Sequence, residues 1–166
     1  MSNNIDLVIF GARGDLSKRK LFPALYQLDK SGLLSDSVRI AGIAREDMDS
    51  VSFIKQMHKS LKAILPGTDW DEAVWKKFSQ RLQYIRIDFS QKKQFASLKD
   101  WSIEKRTMIY YMATPPSIFG SICKHLDDAG CVGKTSRIVL EKPIGHDLKS
   151  SQEVNDTVGR YFPERN

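Results

Sequence analysis

Short apolar runs alternate with longer amphipathic stretches along most of this chain. The runs at 5–10, 38–43, 84–88, 108–113 and 137–141 are short and rich in β-branched or aromatic residues, which predicts five strands. Helical spacing fills the gaps between them. Leu16, Leu21, Leu25 and Leu28 lie near one face of a first helix that ends around Ser31 and Gly32. Val51, Ile54, Leu61 and Leu65 mark a second, ending at Pro66 and Gly67. Val74, Phe78 and Leu82 mark a third, Phe95, Leu98 and Trp101 a fourth, and Ile118, Ile122 and Leu126 a fifth. A last helix starts near Asp147 and runs toward Phe162. Strands separated by helices predict an α/β fold: a doubly wound parallel sheet in three layers, with an extra helix between strands two and three.

The first strand stops at Gly11, and Gly14 follows before a helical pattern begins. A strand that turns through glycines into a helix N-terminus is a cradle for phosphate. The glycines let the backbone approach the anion, and free N–H groups with the helix dipole attract it. The spacing is Gly-x-x-Gly-x-x-Ser, so Ser17 stands where a third glycine is commoner; a small side chain there permits close helix–strand packing. This turn gives the sheet its Rossmann-like character. A strand–turn–helix without any ligand is the plainer reading of the same residues.

Arg45 ends the second strand, where dinucleotide-binding folds discriminate coenzymes. An acid there serves the ribose hydroxyls of NAD. An arginine suits the 2′-phosphate of NADP, because its planar fork holds phosphate bidentately. Arg45 lies farther from Gly11 than the usual gap of about 20 residues, because the first helix and its loop are long. Glu46 and Asp47 follow and suit ribose hydroxyls, so use of both coenzymes stays open; a solvated turn arginine is the alternative.

Composition narrows the class further. A chain of 166 residues with 41% hydrophobic and 28% charged residues suits one globular domain. No apolar run approaches a membrane span, and the polar start Met1-Ser2-Asn3-Asn4 is no signal peptide. Cys123 and Cys131 lack Cys-x-x-Cys spacing and read as reduced thiols of a cytoplasmic protein. With His58, His125 and His146 they form no metal-ligand pattern. The net charge of +6 is scattered beside acids, without a basic arm or interleaved aromatics. That argues against nucleic acid and for solvated faces with a site for phosphorylated small molecules.

Three segments carry a family resemblance. Gly-Ala-Arg-Gly-Asp-Leu-Ser-Lys-Arg-Lys-Leu-Phe-Pro-Ala-Leu-Tyr, from Gly11 to Tyr26, closely resembles the opening of glucose-6-phosphate dehydrogenases. Met-Ala-Thr-Pro-Pro-Ser-Ile-Phe from Met112 and Glu-Lys-Pro-Ile-Gly-His-Asp-Leu from Glu141 resemble two later family motifs, in family order. The resemblance implies NADP as coenzyme, with weaker use of NAD. It implies that Gly11, Ala12, Arg13, Gly14, Asp15 and Leu16, with Ser17 and Lys18, cradle the pyrophosphate. Arg45 would take the 2′-phosphate, Ile87 and Asp88 would pass near the adenosine, and Thr114 and Pro115 would face the nicotinamide side. Lys142 would bridge coenzyme and sugar across a cis bond to Pro143, and Lys20 would reach toward the substrate pocket. Viewed singly, Lys18 and Lys20 read as solvated, and Asp88 equally as a helix cap.

The resemblance covers essentially the whole chain and stops at Asn166. It implies a coenzyme domain over residues 1–166, the first third of an enzyme that oxidises glucose 6-phosphate to its lactone. The general-base histidine is expected after residue 166, in an Arg-Ile-Asp-His-Tyr-Leu-Gly-Lys motif absent from these residues. A further C-terminal domain would bind substrate and make a homo-oligomer. No catalytic residue is expected in the chain itself, and His146 reads as part of a turn. A stand-alone dinucleotide-binding module with a sensing or scaffold role is the rival from another class.

Overall fold

The computed structural model describes residues 4–164. Five strands, β1 (Ile5–Phe10), β2 (Arg39–Ala44), β3 (Leu82–Arg86), β4 (Thr107–Met112) and β5 (Arg137–Leu140), form one sheet in the order β3-β2-β1-β4-β5. Every neighbouring pair is parallel. The chain starts in the middle, winds outward through β2 and β3, then returns to wind the other way through β4 and β5. The reversal puts a topological switch point between β1 and β4.

Alternation along the strands sends side chains into two cores. Ile9, Ile40, Leu82 and Tyr84 face α1 (Phe22–Lys30), α2 (Ser50–Ile64) and α3 (Glu72–Ser79). Val8, Phe10, Ile43 and Tyr110 face α4 (Ala96–Trp101), α5 (Phe119–Asp128) and α6 (Leu148–Gly159). This is the three-layer α/β arrangement expected from the alternation, with α2 and α3 both lying between β2 and β3. At the opposite edge of the sheet from the strand ends, fully buried Asp6 is held by Arg39 (Nη2 to Oδ2, 2.6 Å) and Arg106 (Nε to Oδ1, 2.6 Å). That charged knot ties β1 to the starts of β2 and β4.

Several details depart from the sequence reading. The third strand lies two residues earlier than the apolar run suggests, so Leu82 belongs to β3 and not to α3, and Asp88 lies beyond the strand. A π-helical turn at Ser17–Leu21 precedes α1, with the Phe22 N–H bonded to the Ser17 carbonyl. That turn shifts the phase of the helix. Phe22, Leu25, Tyr26 and Asp29 are buried, whereas Leu28 is exposed. Val51 is likewise exposed, because α2 buries Phe53, Met57 and Leu61 instead. A short 3-10 turn, Pro116–Ile118, leads into α5.

Candidate functional site

Strand register collects the sequence-selected residues on one edge. Phe10 pairs with Ile43 and Met112, Met112 with Leu140, and Ala44 with Arg86. Gly11, Arg45, Ile87, Thr114 and Lys142 therefore all follow within two positions of these aligned ends. In open parallel sheets ligands bind beyond the carboxyl ends of the strands, at the switch point.

The turn after β1 is tightly determined. Gly11 has φ +85°, and a Cβ there would lie 2.3 Å from the Ala113 carbonyl oxygen, so only glycine fits. The N–H groups of Gly11 and Ala12 donate to the Ile43 carbonyl at 3.0 and 3.1 Å, and that of Gly14 to the Gly11 carbonyl at 3.0 Å. The buried Ser17 hydroxyl donates to the same Gly11 carbonyl at 2.9 Å. These bonds fix the turn, and among the described residues the N–H groups of Arg13, Asp15 and Leu16 have no backbone partner at the start of the helix. Ala12 packs onto β2 at Gly42, where a Cβ would approach the Ala12 methyl to 2.9 Å.

On the β4–β5 side of this turn lies a cavity of about 850 Å³, lined among others by Leu16, Thr114, Pro115, Glu141, Lys142 and His146. Lys142 is exposed, and its bond to Pro143 is cis. The Tyr111 hydroxyl donates to the Glu141 carboxylate and orients it. α6 starts at the same cavity, but its N-terminus is already filled. Asp147 accepts from the Ser150 N–H at 2.8 Å, and the Ser150 hydroxyl accepts from the N–H groups of His146 and Asp147. The anion-ready helix start is thus the one after Gly14.

The β2–β3 side is crowded with charge. Arg13 Nη1 pairs with Glu46 Oε1 at 3.0 Å, and Arg86 Nη1 with Asp47 Oδ1 at 3.3 Å. Arg45 is exposed, and among the described residues its guanidinium makes no hydrogen bond or ion pair; its carbonyl accepts from Arg86 Nε at 3.1 Å. The Asp88 carboxylate accepts from the Ser90 N–H and hydroxyl at 3.0 and 2.7 Å. Those bonds, with Arg45 and Arg86 nearby, hold its carboxyl below the usual range. Asp88 therefore caps its own turn as a fixed anion. Burial, with Glu46 adding, pushes the Tyr84 hydroxyl up, so it stays protonated and donates to the Glu46 carbonyl at 2.7 Å.

Three buried side-chain atoms among the described residues lack a hydrogen-bond partner: Arg13 Nε, Glu46 Oε2 and Thr114 Oγ1. All three stand at the strand-end edge, one each after β1, β2 and β4. A buried polar atom left unpaired costs roughly 1–3 kcal/mol, and such atoms are rare in folded proteins. They cluster at the carboxyl ends of the strands, the edge at which open parallel sheets bind ligands, and mark it as the candidate site.

Other sequence-selected residues are placed differently. Ile87 is fully buried in the core and Ala12 and Ser17 in packing, so each offers a ligand its backbone only. Asp15 is exposed and pairs with Arg19 at 2.9 Å. Lys18 and Lys20 do not line the cavity, and Lys20 is exposed in the π-helical turn. His58 packs edge-on against Trp70 and Trp75, and His125 Nδ1 meets the Phe89 carbonyl at 3.1 Å, so both are structural. The Arg13–Glu46 pair escaped the sequence reading. Its signal is an opposite charge just past the ends of two adjacent strands, which is meaningful only once β1 and β2 are known to pair.

Comparison with known proteins matches the description "Glucose-6-phosphate dehydrogenase, NAD binding domain" to residues 8–166. The chain belongs to the glucose-6-phosphate dehydrogenase family. Glucose-6-phosphate 1-dehydrogenase of Buchnera aphidicola subsp. Baizongia pistaciae is 40% identical over 165 residues, covering 99% of this chain and 34% of that protein. The Dickeya dadantii protein of the same name is 41% identical over 160 residues, covering 96% and 32%. The crystal structure of glucose-6-phosphate 1-dehydrogenase from Mycobacterium avium superposes with a TM-score of 0.87 at 30% identity, covering 95% of this chain and 34% of that one. A glucose-6-phosphate dehydrogenase in complex with its substrate glucose-6-phosphate gives 0.84 at 29%. The chain spans about a third of the length of the curated relatives it matches. In this family the matched domain is the one that binds a nicotinamide dinucleotide. Among the described residues no helix is long and apolar enough to cross a membrane, and no group of side chains is arranged for a metal ion.

Proposed function

We propose that the chain is the coenzyme-binding part of an enzyme that oxidises D-glucose 6-phosphate to 6-phosphogluconolactone with NADP, and takes NAD less well. The observation that carries this is the row of unpaired buried polar atoms, Arg13 Nε, Glu46 Oε2 and Thr114 Oγ1, along the strand ends of a dinucleotide-type sheet. Its fit to a dinucleotide is chemical. The N–H groups after β1 that have no backbone partner among the described residues suit the pyrophosphate, the exposed Arg45 guanidinium suits a 2′-phosphate, and the Thr114 hydroxyl suits an amide at the other end. Bound here, such a coenzyme would supply the hydride acceptor for C1 of the sugar. The chain's own residues bind and orient. Gly11 to Leu16 with Ser17 and Lys18 hold the pyrophosphate, the backbone at Ile87 and Asp88 borders the adenosine, and Thr114 and Pro115 border the nicotinamide. Lys142 stands at the cavity rim, able to reach a sugar hydroxyl while touching coenzyme. Lys20, exposed and outside the cavity lining, would meet substrate beyond that cavity.

In this reading residues 1–166 form the NADP domain. The proton-accepting histidine, the substrate phosphate site and the oligomer interface belong to a further domain. Buried, unpaired Cys123 and Cys131, pushed up to about 12 and about 11 by burial, suit a reducing cytoplasm. Calorimetric titration with NADP and NAD tests the assignment. Arg45→Ala is expected to weaken NADP by about 1.5–3 kcal/mol, the loss of a charge-assisted contact, and to leave NAD nearly unchanged. An unchanged NADP/NAD ratio rejects Arg45 as the phosphate partner.

A further inference from the structure

β5 forms one edge of the sheet and is poorly shielded. Among the described residues it pairs with β4 alone, in unbroken register from Arg137 to Leu140, and no other backbone bond reaches residues 137–141. Edge strands are usually blunted by a proline, a bulge, inward charges or shortness. β5 reads Arg-Ile-Val-Leu, with no proline and no bulge; its shields are its length of four residues and Arg137 at its start. Ile138 and Leu140 pack into the α5 and α6 core, whereas Val139, on the opposite face, is 38% exposed. An open apolar edge of this kind is a template for another strand.

The charges around Val139 are self-complementary. Arg137 lies two positions before it and Glu141 two positions after, so all three share a face. Arg137 is exposed and joins no ion pair among the described residues. The Glu141 carboxylate takes the hydroxyl of Tyr111, the β4 partner of Val139, and so leans over that same face. In an antiparallel pairing of β5 with β5 of a second copy, about a two-fold axis through Val139, valine meets valine and Ile138 meets Leu140. Arg137 of each copy then meets Glu141 of the other, and opposite charges directly across a strand pair stabilise it. Both copies keep the same face up about such an axis, so the register can slip only by two residues. A slip either way leaves Arg137 opposite Val139 or Pro143 and loses both charge pairs.

We propose that β5 is a self-association edge of this chain: two copies pair their β5 strands antiparallel across Val139 and join two five-stranded sheets into one continuous sheet. The interface is isologous, with each copy giving and receiving the same Arg137–Glu141 contact. A strand of four residues offers less contact than a stable interface needs, so the association is weak and rises with protein concentration. It depends neither on coenzyme nor on an interface in a further domain.

Sedimentation equilibrium of the protein, from about 10 μM to about 1 mM, reads the association directly. The mean mass is expected to climb from monomer toward dimer and no further, because the pairing consumes the edge of both copies. Arg137→Glu turns two attractive pairs into two repulsive ones and is expected to weaken the dimer about tenfold, with an unchanged circular dichroism spectrum. Cysteine placement tests the register without touching Glu141. Val139→Cys sets two thiols face to face at the axis and is expected to cross-link into a covalent dimer under a mild oxidant. Arg137→Cys, whose copies lie apart on either side of the axis, is expected to stay monomeric on a denaturing gel. A protein that remains monomeric across the whole concentration range overturns the proposal. So does an Arg137→Glu variant that associates as the parent does, and so does equal cross-linking of the two cysteine variants.

Discussion

Gly11 does two jobs with one missing side chain. Its φ of +85° makes the turn, and the absent Cβ gives the Ala113 carbonyl room to close against it. Gly11→Ala is expected to cost at least about 2 kcal/mol, from positive-φ strain and a forced shift of the β4 end, measured by urea unfolding. Ser17→Ala, which removes a buried donor and leaves the Gly11 carbonyl with fewer partners, is expected to cost about 1 kcal/mol. Gly11, Gly14, Arg45, Thr114 and Lys142 were all legible in the sequence as residues that follow a strand. That Arg13 pairs with Glu46 was not. A charged residue in a turn looks solvated until its neighbour across the sheet is known.

Among the elements, the five strands were readable because each is a short run rich in β-branched or aromatic residues, the composition of a strand buried in a parallel sheet. β3 was misplaced by two residues because Ile87 is as apolar as the strand and continues into the core after pairing stops. The first helix kept its position but not its buried stripe, since the π-helical turn at Ser17–Leu21 changes which residues face the sheet. Asp6 shows an element-scale constraint that alternation cannot express. It is a carboxylate at an inward strand position, buried only because Arg39 on β2 and Arg106 before β4 close over it. Asp6→Ala removes the carboxylate that both arginines bind, leaving Arg39 with the Trp101 carbonyl and Arg106 with the Ile5 and Ser37 carbonyls, and is expected to lower stability by about 3 kcal/mol, the low end for a broken buried pair because Arg39 is partly exposed and both cations keep other partners. Chemical denaturation with an unchanged m-value checks it; a loss under about 1 kcal/mol refutes the role.

At the scale of the molecule, the switch point divides the strand-end edge into two sides of different chemistry. The β2–β3 side is ionic and suits the phosphorylated end of a coenzyme. The β4–β5 side opens into the cavity with Lys142 at its rim. His146 is the histidine at that cavity, and it lies in the turn that leads into the α6 cap. Residues 1–166 alone are expected to reduce no NADP measurably when supplied with glucose 6-phosphate. A positioned general base contributes about 10²–10⁴ in rate, and the proposed reading places that base outside these residues. Absorbance of reduced coenzyme is the readout. Turnover that disappears in His146→Ala would move the base into this chain.

The order and kind of the elements, the glycine turn and the list of strand-end residues are written in the sequence. Each of these is encoded locally, by side-chain period, by glycine's freedom of φ, or by position after an apolar run. Tertiary structure alone decided which charges meet. The pairs Arg13–Glu46, Asp6–Arg39 and Arg81–Asp29 join residues far apart in the chain. Their contacts depend on the parallel register of β1 and β2 and on how α1 seats against the start of β3. Register is settled when whole faces pack, because a slip of one residue would turn every buried side chain of a strand to the other face.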